Sequence, residues 1–364
     1  MLSPVKEAQR LGQSLWLDYI RRDIVASGEL GKLVQAGISG LTSNPTIFQK
    51  AIAQSTDYDE ALRVLLKANP DIDTEAIYEH LAIEDIRLAA DILRPVYEAS
   101  GGSDGLVSLE ASPHLADDTI ATIAEVRRLW RLVSRPNVMI KVPATAQGIP
   151  AVETLTAEGI NVNITLMFSL KHYEAVSHAY LRGIGQNPDP RRVTSVASFF
   201  VSRVDTYVDR ELEKIGSEKA LSLRGRAAIA NSKLVYRRFQ EVFDREFTGE
   251  RKRGARIQRL LWGSSSTKNQ AYSDVMYVEG LIGPNTVNTM PLETFRAFQE
   301  HGKARRTIDE GLAAAEQTLA DLKKVGVDLA AITEQLQRDG VRAFADSFDQ
   351  LLSALEEKRK LRVV

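Results

Sequence analysis

The sequence contains no cysteine, which excludes disulfide bridges, thiolate chemistry and zinc or iron–sulfur sites held by cysteine. It also has little net charge, since 47 Lys and Arg residues against 48 Asp and Glu residues give −1. Such a surface has no general attraction for nucleic acid or an acidic membrane. No apolar run is long enough to span a membrane, and the first twenty residues lack the apolar block of a signal peptide. We therefore expect a cytoplasmic protein with neither a nucleic-acid nor a membrane partner.

Short β-type runs alternate with amphipathic stretches of helix length along the 364 residues. This alternation is typical of a parallel sheet with helical crossovers. The eight strand candidates are SLWLDY (14–19), ISGLTSN (38–44), GLVSLEA (105–111), VMIKVPA (138–144), INVNITLMF (160–168), TSVASFF (194–200), RLLWGSS (259–265) and NTVNTM (285–290). Eight repeats, with no Gly-x-Gly-x-x-Gly turn after the first strand, favour a closed barrel over an open sheet. The prediction is an α/β protein with a (β/α)8 TIM-barrel fold.

The helices predicted between these strands include 117–133, 147–158, 169–185 and 203–245. A minimal barrel needs about 250 residues, so the excess length must form additional structure. We expect extra helices at about 45–104 and 307–358, packed on the barrel within a single domain that spans residues 1–364. Asp73 is the predicted N-cap of a helix inside the first of these segments. An apolar face on the terminal helices could support a homodimer.

Side chains alternate between the two faces of a strand, so each candidate strand separates into an apolar and a polar set. If the apolar sets pack under the helices, the polar sets point into the barrel near the carboxyl ends of the strands, where barrel enzymes have their active sites. The inward set comes from six strands and comprises Asp18, Asn44, Glu110, Lys141, Asn163, Thr165 and Ser198.

Taken singly, each of these residues has an ordinary structural explanation. A lysine in a strand commonly faces solvent or forms a salt bridge, and an acid at a strand end commonly caps a helix. The set as a whole is harder to explain, because polar groups gathered inside a barrel lose hydration without an apolar reason for being there. A lysine with two carboxylates within reach is therefore a candidate site.

Other chemistries fit the sequence poorly. The five histidines show no His-x-His or HExxH spacing, so a metal site is not expected. No histidine falls on a predicted inward strand face, which excludes a Ser–His–acid triad. An enclosed lysine, in contrast, suits imine formation, because loss of hydration favours the neutral amine that attacks a carbonyl. The imine then acts as an electron sink for breaking a carbon–carbon bond, and Asp18 and Glu110 are acids of the type that could move the protons.

The motifs around these residues closely resemble transaldolases, in particular the longer bacterial branch of that family. The matching runs are LTSNPTIF (41–48), VSLEAS (107–112), MIKVPATAQGI (139–149), INVNITLMFS (160–169), SFFVSRVD (198–205), SSSTKN (264–269) and TVNTMP (286–291). The resemblance implies a barrel enzyme of the pentose phosphate pathway that needs no cofactor or metal. It implies transfer of a dihydroxyacetone unit from sedoheptulose 7-phosphate to glyceraldehyde 3-phosphate, giving erythrose 4-phosphate and fructose 6-phosphate.

The resemblance also implies a role for each matching residue. Lys141 is the expected Schiff-base lysine, and Asp18 the expected acid/base for the substrate C4 hydroxyl. Glu110 and Thr165 are expected to hold the catalytic water. The expected substrate-binding residues are Asn44, Asn163, Ser198, Phe200 and, for the phosphate, Arg203. Lys268 stands where many transaldolases have a second arginine, and a lysine supplies charge without the two-pronged hydrogen bonding of a guanidinium.

Two other functions remain open on the sequence alone. A fructose 6-phosphate aldolase would share the fold, the lysine and the donor, but would release the three-carbon unit instead of transferring it. Glu110 and Asp18 favour transfer, because the related aldolases have a glutamine in place of the glutamate. A catalytically inactive barrel that binds sugar phosphates or a partner protein would contain an ordinary, unreactive Lys141.

Overall fold

Eight parallel strands close into a barrel in which each strand pairs with its neighbours in chain order and β8 pairs with β1. The structure is a computed structural model that describes residues 2–53 and 55–362. The strands are β1 (Gln13–Asp18), β2 (Ile38–Thr42), β3 (Leu106–Glu110), β4 (Val138–Pro143), β5 (Val162–Met167), β6 (Ser195–Phe200), β7 (Arg259–Gly263) and β8 (Thr286–Met290). All eight overlap the predicted strands, and the predicted (β/α)8 TIM barrel is confirmed.

Helices connect the strands and surround the barrel. They are α1 (Pro4–Arg10), α2 (Arg22–Ala26), α3 (Glu29–Ala36), α4 (Pro45–Ala53), α5 (Asp59–Ala68), α6 (Thr74–Ala99), α7 (Thr119–Val133), α8 (Gly148–Ala157), α9 (Leu170–Gln186), α10 (Ser202–Ile215), α11 (Glu218–Leu221), α12 (Ala227–Glu241), α13 (Thr248–Lys252), α14 (Met276–Glu279), α15 (Leu292–His301), α16 (Leu312–Lys324) and α17 (Leu329–Arg362). A π-helical turn, Val242–Glu246, continues α12.

Three predicted helices between strands are confirmed as α7, α8 and α9, but the single helix predicted over 203–245 is wrong. Helix α10 ends at Gly216, which adopts a left-handed conformation with φ of 69°. The chain then forms α11 and α12 as separate helices. A glycine in this conformation commonly ends a helix. The long apolar periodicity around Gly216 led to the prediction of a single helix.

Both segments of predicted extra helix are helical. The β2–β3 crossover contains α4, α5 and α6, and Asp73 caps α6 by accepting a hydrogen bond from the backbone N–H of Ala76 at 2.8 Å. The tail forms α16 and α17. Helix α17 reaches the carboxyl ends of the strands, where Gln337 donates hydrogen bonds to the backbone carbonyls of Ala144 and Leu166. The tail therefore contacts the end of the barrel that carries the polar residues.

An apolar layer of side chains crosses the barrel interior. Its core consists of Trp16, Leu106, Met139, Val196, Leu261 and Val287, all buried, with one residue from each of six strands. The indole ring of Trp16 lies against Gly40 of β2. A Cβ atom at Gly40 would overlap this ring, so glycine leaves the space that Trp16 occupies. The predicted site residues lie above this apolar layer, at the carboxyl ends of the strands.

A continuous hydrophobic core joins the outer faces of the strands to the surrounding helices, including α6 and α17. This continuity agrees with a single domain. The assignment of residues 1–364 to one domain stays a prediction, and residues 1, 54, 363 and 364 lie outside the described part of the chain. Among the described residues, no helix combines the length and apolar character needed to cross a membrane.

Candidate active site

A cavity of about 650 Å³ opens at the carboxyl ends of the strands. This volume falls within the range of small-molecule sites, which measure roughly 300 to 1,000 Å³. The predicted site residues that line it are Asp18, Asn44, Lys141, Thr165, Ser198, Phe200, Arg203 and Lys268. Glu110 and Asn163 do not line it but lie beside residues that do. The strand alternation read from the sequence thus brings the predicted residues to one place.

Lys141 on β4 is buried, with 4% of its surface exposed. Its Nζ atom lies 2.7 Å from Oε2 of Glu110 and donates a hydrogen bond of 2.9 Å to the backbone carbonyl of Ser43. The ring centre of Phe344, from α17, lies 6.0 Å from the same nitrogen. One carboxylate, one carbonyl and one aromatic ring therefore surround the amine at the edge of the cavity.

Glu110 occupies the position on β3 that pairs in register with Lys141 on β4. Burial raises the pKa of the Glu110 carboxyl, and the nearby ammonium of Lys141 opposes that rise. A carboxyl whose pKa is raised accepts a proton more readily near neutral pH than an exposed glutamate does.

Asp18 faces the cavity from the end of β1. The hydroxyl of Thr42 donates a hydrogen bond of 2.7 Å to Asp18 Oδ1, and it lies 2.7 Å from the hydroxyl of Thr289. Burial raises the pKa of Asp18, while the charge of Lys141 and the Thr42 hydroxyl oppose that rise. A half-buried carboxyl with a raised pKa and one fixed hydroxyl donor is suited to exchanging a proton with a substrate.

A hydrogen-bonded row of polar side chains crosses the barrel below the cavity. Asn163 donates a hydrogen bond of 3.0 Å to the hydroxyl of Ser108, and the hydroxyl of Ser198 donates one of 2.6 Å to Asn163 Oδ1. Asn163 is fully buried, and the hydrogen bond that it accepts from Ser198 connects it to the cavity. These bonds fix the orientation of the Ser198 side chain at the cavity floor.

Two further predicted residues contribute polar groups to the cavity wall. Asn44 Oδ1 accepts a hydrogen bond of 3.0 Å from the backbone N–H of Ile47 in the first turn of α4, which leaves its amide nitrogen for another partner. Thr165 is fully buried, and its hydroxyl has no hydrogen-bond partner among the residues that the structure describes. A buried hydroxyl without a protein partner can hold a water or a substrate group.

Cationic side chains collect on one side of the cavity. Arg203, at the start of α10, lies over the ring of Phe200 with 5.2 Å between the guanidinium carbon and the ring centre. Burial lowers the pKa of Lys268, and the charge of Arg203 lowers it further, while Asp18 opposes both effects. Lys50 on α4 lines the same wall. Within the described residues none of these three cations forms an ion pair, so the cavity presents positive charge that an anion would neutralise.

Among the cavity residues that were not predicted from the sequence, Lys50 and Phe344 bear most directly on its chemistry. Lys50 follows the LTSNPTIF motif and lies in the second turn of α4, the helix after β2. This position could have identified it from the sequence as a cavity residue. Phe344 carried no such signal, because its approach to Lys141 depends on how α17 packs across the barrel. Together, a buried amine, two carboxyls and an anion-binding wall fit imine chemistry on a phosphorylated carbonyl compound.

Comparisons with known proteins agree with this chemistry. The sequence profile of the family described as Transaldolase/Fructose-6-phosphate aldolase matches residues 15–355. A transaldolase from Thiobacillus denitrificans is 48% identical over 96% of this chain and 99% of its own. A transaldolase from Thermobifida fusca is 46% identical over 98% and 99%, and a protein named Transaldolase 2 from a Nostoc species is 44% identical over 98% and 97%.

Proposed function

The chain belongs to the transaldolase/fructose-6-phosphate aldolase family, and from that premise we propose how its residues carry out the transaldolase reaction. The enzyme transfers a dihydroxyacetone unit between sugar phosphates, from sedoheptulose 7-phosphate to glyceraldehyde 3-phosphate. The observation that carries our assignment is the buried Lys141 amine, 2.7 Å from the carboxylate of Glu110 and at the edge of a cavity that Asp18 also lines.

The first step forms an imine between Lys141 and the ketose. Glu110 takes a proton from the Lys141 ammonium, and the neutral amine attacks the C2 carbonyl of the donor. The resulting carbinolamine loses water as the imine forms. Glu110 and the Thr165 hydroxyl hold this water, and the same water position serves when the imine is hydrolysed at the end.

The second step breaks the C3–C4 bond of the donor. Asp18 removes the proton from the C4 hydroxyl, the electron pair of the C3–C4 bond moves into the imine, and an aldose leaves. The three-carbon unit stays on Lys141 as an enamine. Transfer is the reverse of these events with a new aldehyde, to whose oxygen Asp18 returns the proton.

The bound three-carbon unit needs hydrogen bonds that hold it until an acceptor arrives. We assign this task to Asn44 and Ser198, whose side chains face the cavity, with Asn163 fixing the orientation of Ser198. Phe200 forms an apolar part of the wall beside them. A well-held enamine favours transfer over release into water.

The phosphate of the donor or acceptor binds at the cationic wall. Arg203 lies in the first turn of α10, where the backbone N–H groups of a helix also favour an anion. Lys268 and Lys50 add two further charges. Lys268 cannot form the paired hydrogen bonds of the second guanidinium that many family members have at this position. We propose that the charge of Lys50 compensates for this difference.

The transfer assignment is tested by assaying fructose 6-phosphate with and without an aldehyde acceptor. We expect fast formation of the new ketose when erythrose 4-phosphate is present and only slow release of free dihydroxyacetone without it. Rapid acceptor-independent release would instead identify a fructose 6-phosphate aldolase. A cytoplasmic location and a homodimer stay predictions from the sequence.

A further inference from the structure

Leu166, the residue after Thr165, has a left-handed backbone conformation with φ of 60°. This conformation is unfavourable for a residue with a branched side chain. It coincides with an irregularity in the pairing of β5 with β6, between Ile164 and Met167. The strand that carries Thr165 is therefore locally strained next to the cavity, and such strain persists only where surrounding contacts hold it.

Two residues of α17 make those contacts. Gln337 Nε2 donates to the backbone carbonyl of Leu166 at 3.1 Å and to that of Ala144, at the end of β4, at 2.8 Å. The backbone N–H of Ala144 in turn donates to the carbonyl of Thr165 at 2.8 Å. One glutamine thus joins the ends of the two strands that carry Lys141 and Thr165.

Gly340 lies one helical turn after Gln337 and gives the Leu166 side chain its space. A Cβ atom at Gly340 would lie 2.7 Å from Leu166 Cδ2, so the buried Leu166 side chain would have to shift, and 3.6 Å from the guanidinium of Arg203, an ordinary contact. A glycine inside a helix is less favourable than alanine. The presence of glycine here therefore has a packing reason, and the reason is Leu166.

Gln337, Gly340 and Phe344 follow a spacing of three and four residues, so they share one face of α17. That face contacts the Thr165 strand through Gln337 and Gly340 and approaches the Lys141 amine through Phe344. Since Thr165 directly precedes Leu166, any change in the Leu166 backbone also moves the Thr165 hydroxyl. The helix thus contacts the site at the point where the proposed catalytic water is held.

We propose that Gln337 and Gly340 of the C-terminal helix are positioning residues for catalysis: they hold Leu166 in its left-handed conformation and so place the Thr165 hydroxyl. This inference rests on the proposed role of Thr165 in holding the catalytic water. Gln337 acts by satisfying the Leu166 carbonyl, and Gly340 acts by leaving room for the Leu166 side chain. The C-terminal helix is then part of the active site and not only a cover for it.

The decisive variant is Gly340→Ala, with Gly31→Ala in α3 as the matched control. Gly31 is also inside a helix, but a Cβ atom there meets nothing within 4 Å. Helix propensity alone predicts that neither substitution lowers the melting temperature much. We expect Gly340→Ala to lower kcat about tenfold with a KM for fructose 6-phosphate within twofold of wild type, and Gly31→Ala to leave both unchanged.

A second variant separates positioning from general damage. Leu166→Ala removes the side chain that the new methyl group would strike, so the loss caused by Gly340→Ala should shrink to threefold or less in a Leu166→Ala background. An equal loss in both backgrounds would overturn the proposal, because the two residues would then act independently. So would a Gly340→Ala enzyme with wild-type kcat.

Gln337→Met tests the hydrogen bonds, with Gln335→Met as its control on the same helix. Gln335 donates a hydrogen bond to Asp339 and accepts one from Arg338, both in exposed pairs on the same helix. We expect slower turnover for Gln337→Met alone, and slower hydrolysis of the Lys141 imine in single-turnover assays. The two proposals fail in different ways. A wild-type enzyme without a Lys141 imine contradicts the proposed function, whereas a normal wild-type imine with unaffected variants contradicts only this inference.

Discussion

Lys141 and Glu110 face each other in register on the adjacent strands β4 and β3, and the amine and the carboxylate approach to 2.7 Å. Both side chains are buried. Such a pair favours the charged forms of both groups, whereas attack on a carbonyl needs the neutral amine. Burial raises the pKa of Glu110, and in the proposed mechanism this carboxyl accepts the lysine proton.

Glu110→Gln should therefore slow imine formation. Glutamine keeps the size of the side chain but cannot accept the proton from Lys141. We expect kcat to fall on the order of a hundredfold, the lower range for loss of one acid/base group, with little change in KM. Rapid-mixing assays of imine formation measure this step directly. A rate within twofold of wild type would rule out Glu110 as the proton acceptor.

Thr42 should set the lower pH limit of the reaction through Asp18. The Thr42 hydroxyl stabilises the ionised carboxylate, so removing it raises the pKa of Asp18 further. Asp18 must be ionised to remove the C4 hydroxyl proton. We expect the acid limb of the kcat/KM profile to move to higher pH in Thr42→Val and to stay in place in Thr42→Ser, which keeps the hydroxyl. An unmoved limb in Thr42→Val would show that another group controls it.

Lys50 should contribute to phosphate recognition. Lys50→Gln removes one charge from the cationic wall, and an exposed charge pair is worth up to about 1 kcal/mol, or roughly fivefold in affinity. We expect the KM for glyceraldehyde 3-phosphate to rise by about that factor, while unphosphorylated glyceraldehyde is used as before. Lys67→Gln, at an exposed position of α5, is the control. Equal effects on both acceptors would remove Lys50 from the phosphate site.

Asp205 should make the folded state less stable as the pH rises. Burial raises its pKa to about 6, against hydrogen bonds from the Ala228 backbone N–H and the Tyr277 hydroxyl. A pKa above the unfolded value of about 3.9 means that its stabilising contribution is present below that value and is lost as pH rises through 6. Relative to Asp205→Asn, the wild type should lose about 2 to 3 kcal/mol of unfolding free energy between pH 4 and pH 7, measured by urea titration. Parallel curves for the two proteins would contradict this.

The barrel and the main polar set could be predicted because strand alternation is a local property. Trp16 and Asp18 share one face of β1, and the structure places the first in the apolar lower layer and the second at the cavity above it. The same reasoning brought Lys141 and Thr165 together from β4 and β5. Sequence patterns within a strand were sufficient for these positions.

The contribution of α17 could not be predicted in this way. The periodicity of residues 307–358 indicated helices but not which part of the barrel they cover. Phe344 reaches Lys141, and Gly340 accommodates Leu166, only because α17 lies across the strand ends. The left-handed conformation of Leu166 could not be predicted either, because leucine gives no local signal for that conformation.

The role of Lys141 as the imine-forming residue is tested by borohydride reduction of the enzyme in the presence of fructose 6-phosphate, followed by mass spectrometry of the digested protein. We expect a reduced three-carbon adduct on Lys141 in the wild type, and none in a folded Lys141→Met variant that has also lost turnover. An adduct on another lysine, or an active enzyme without any adduct at Lys141, would contradict this role.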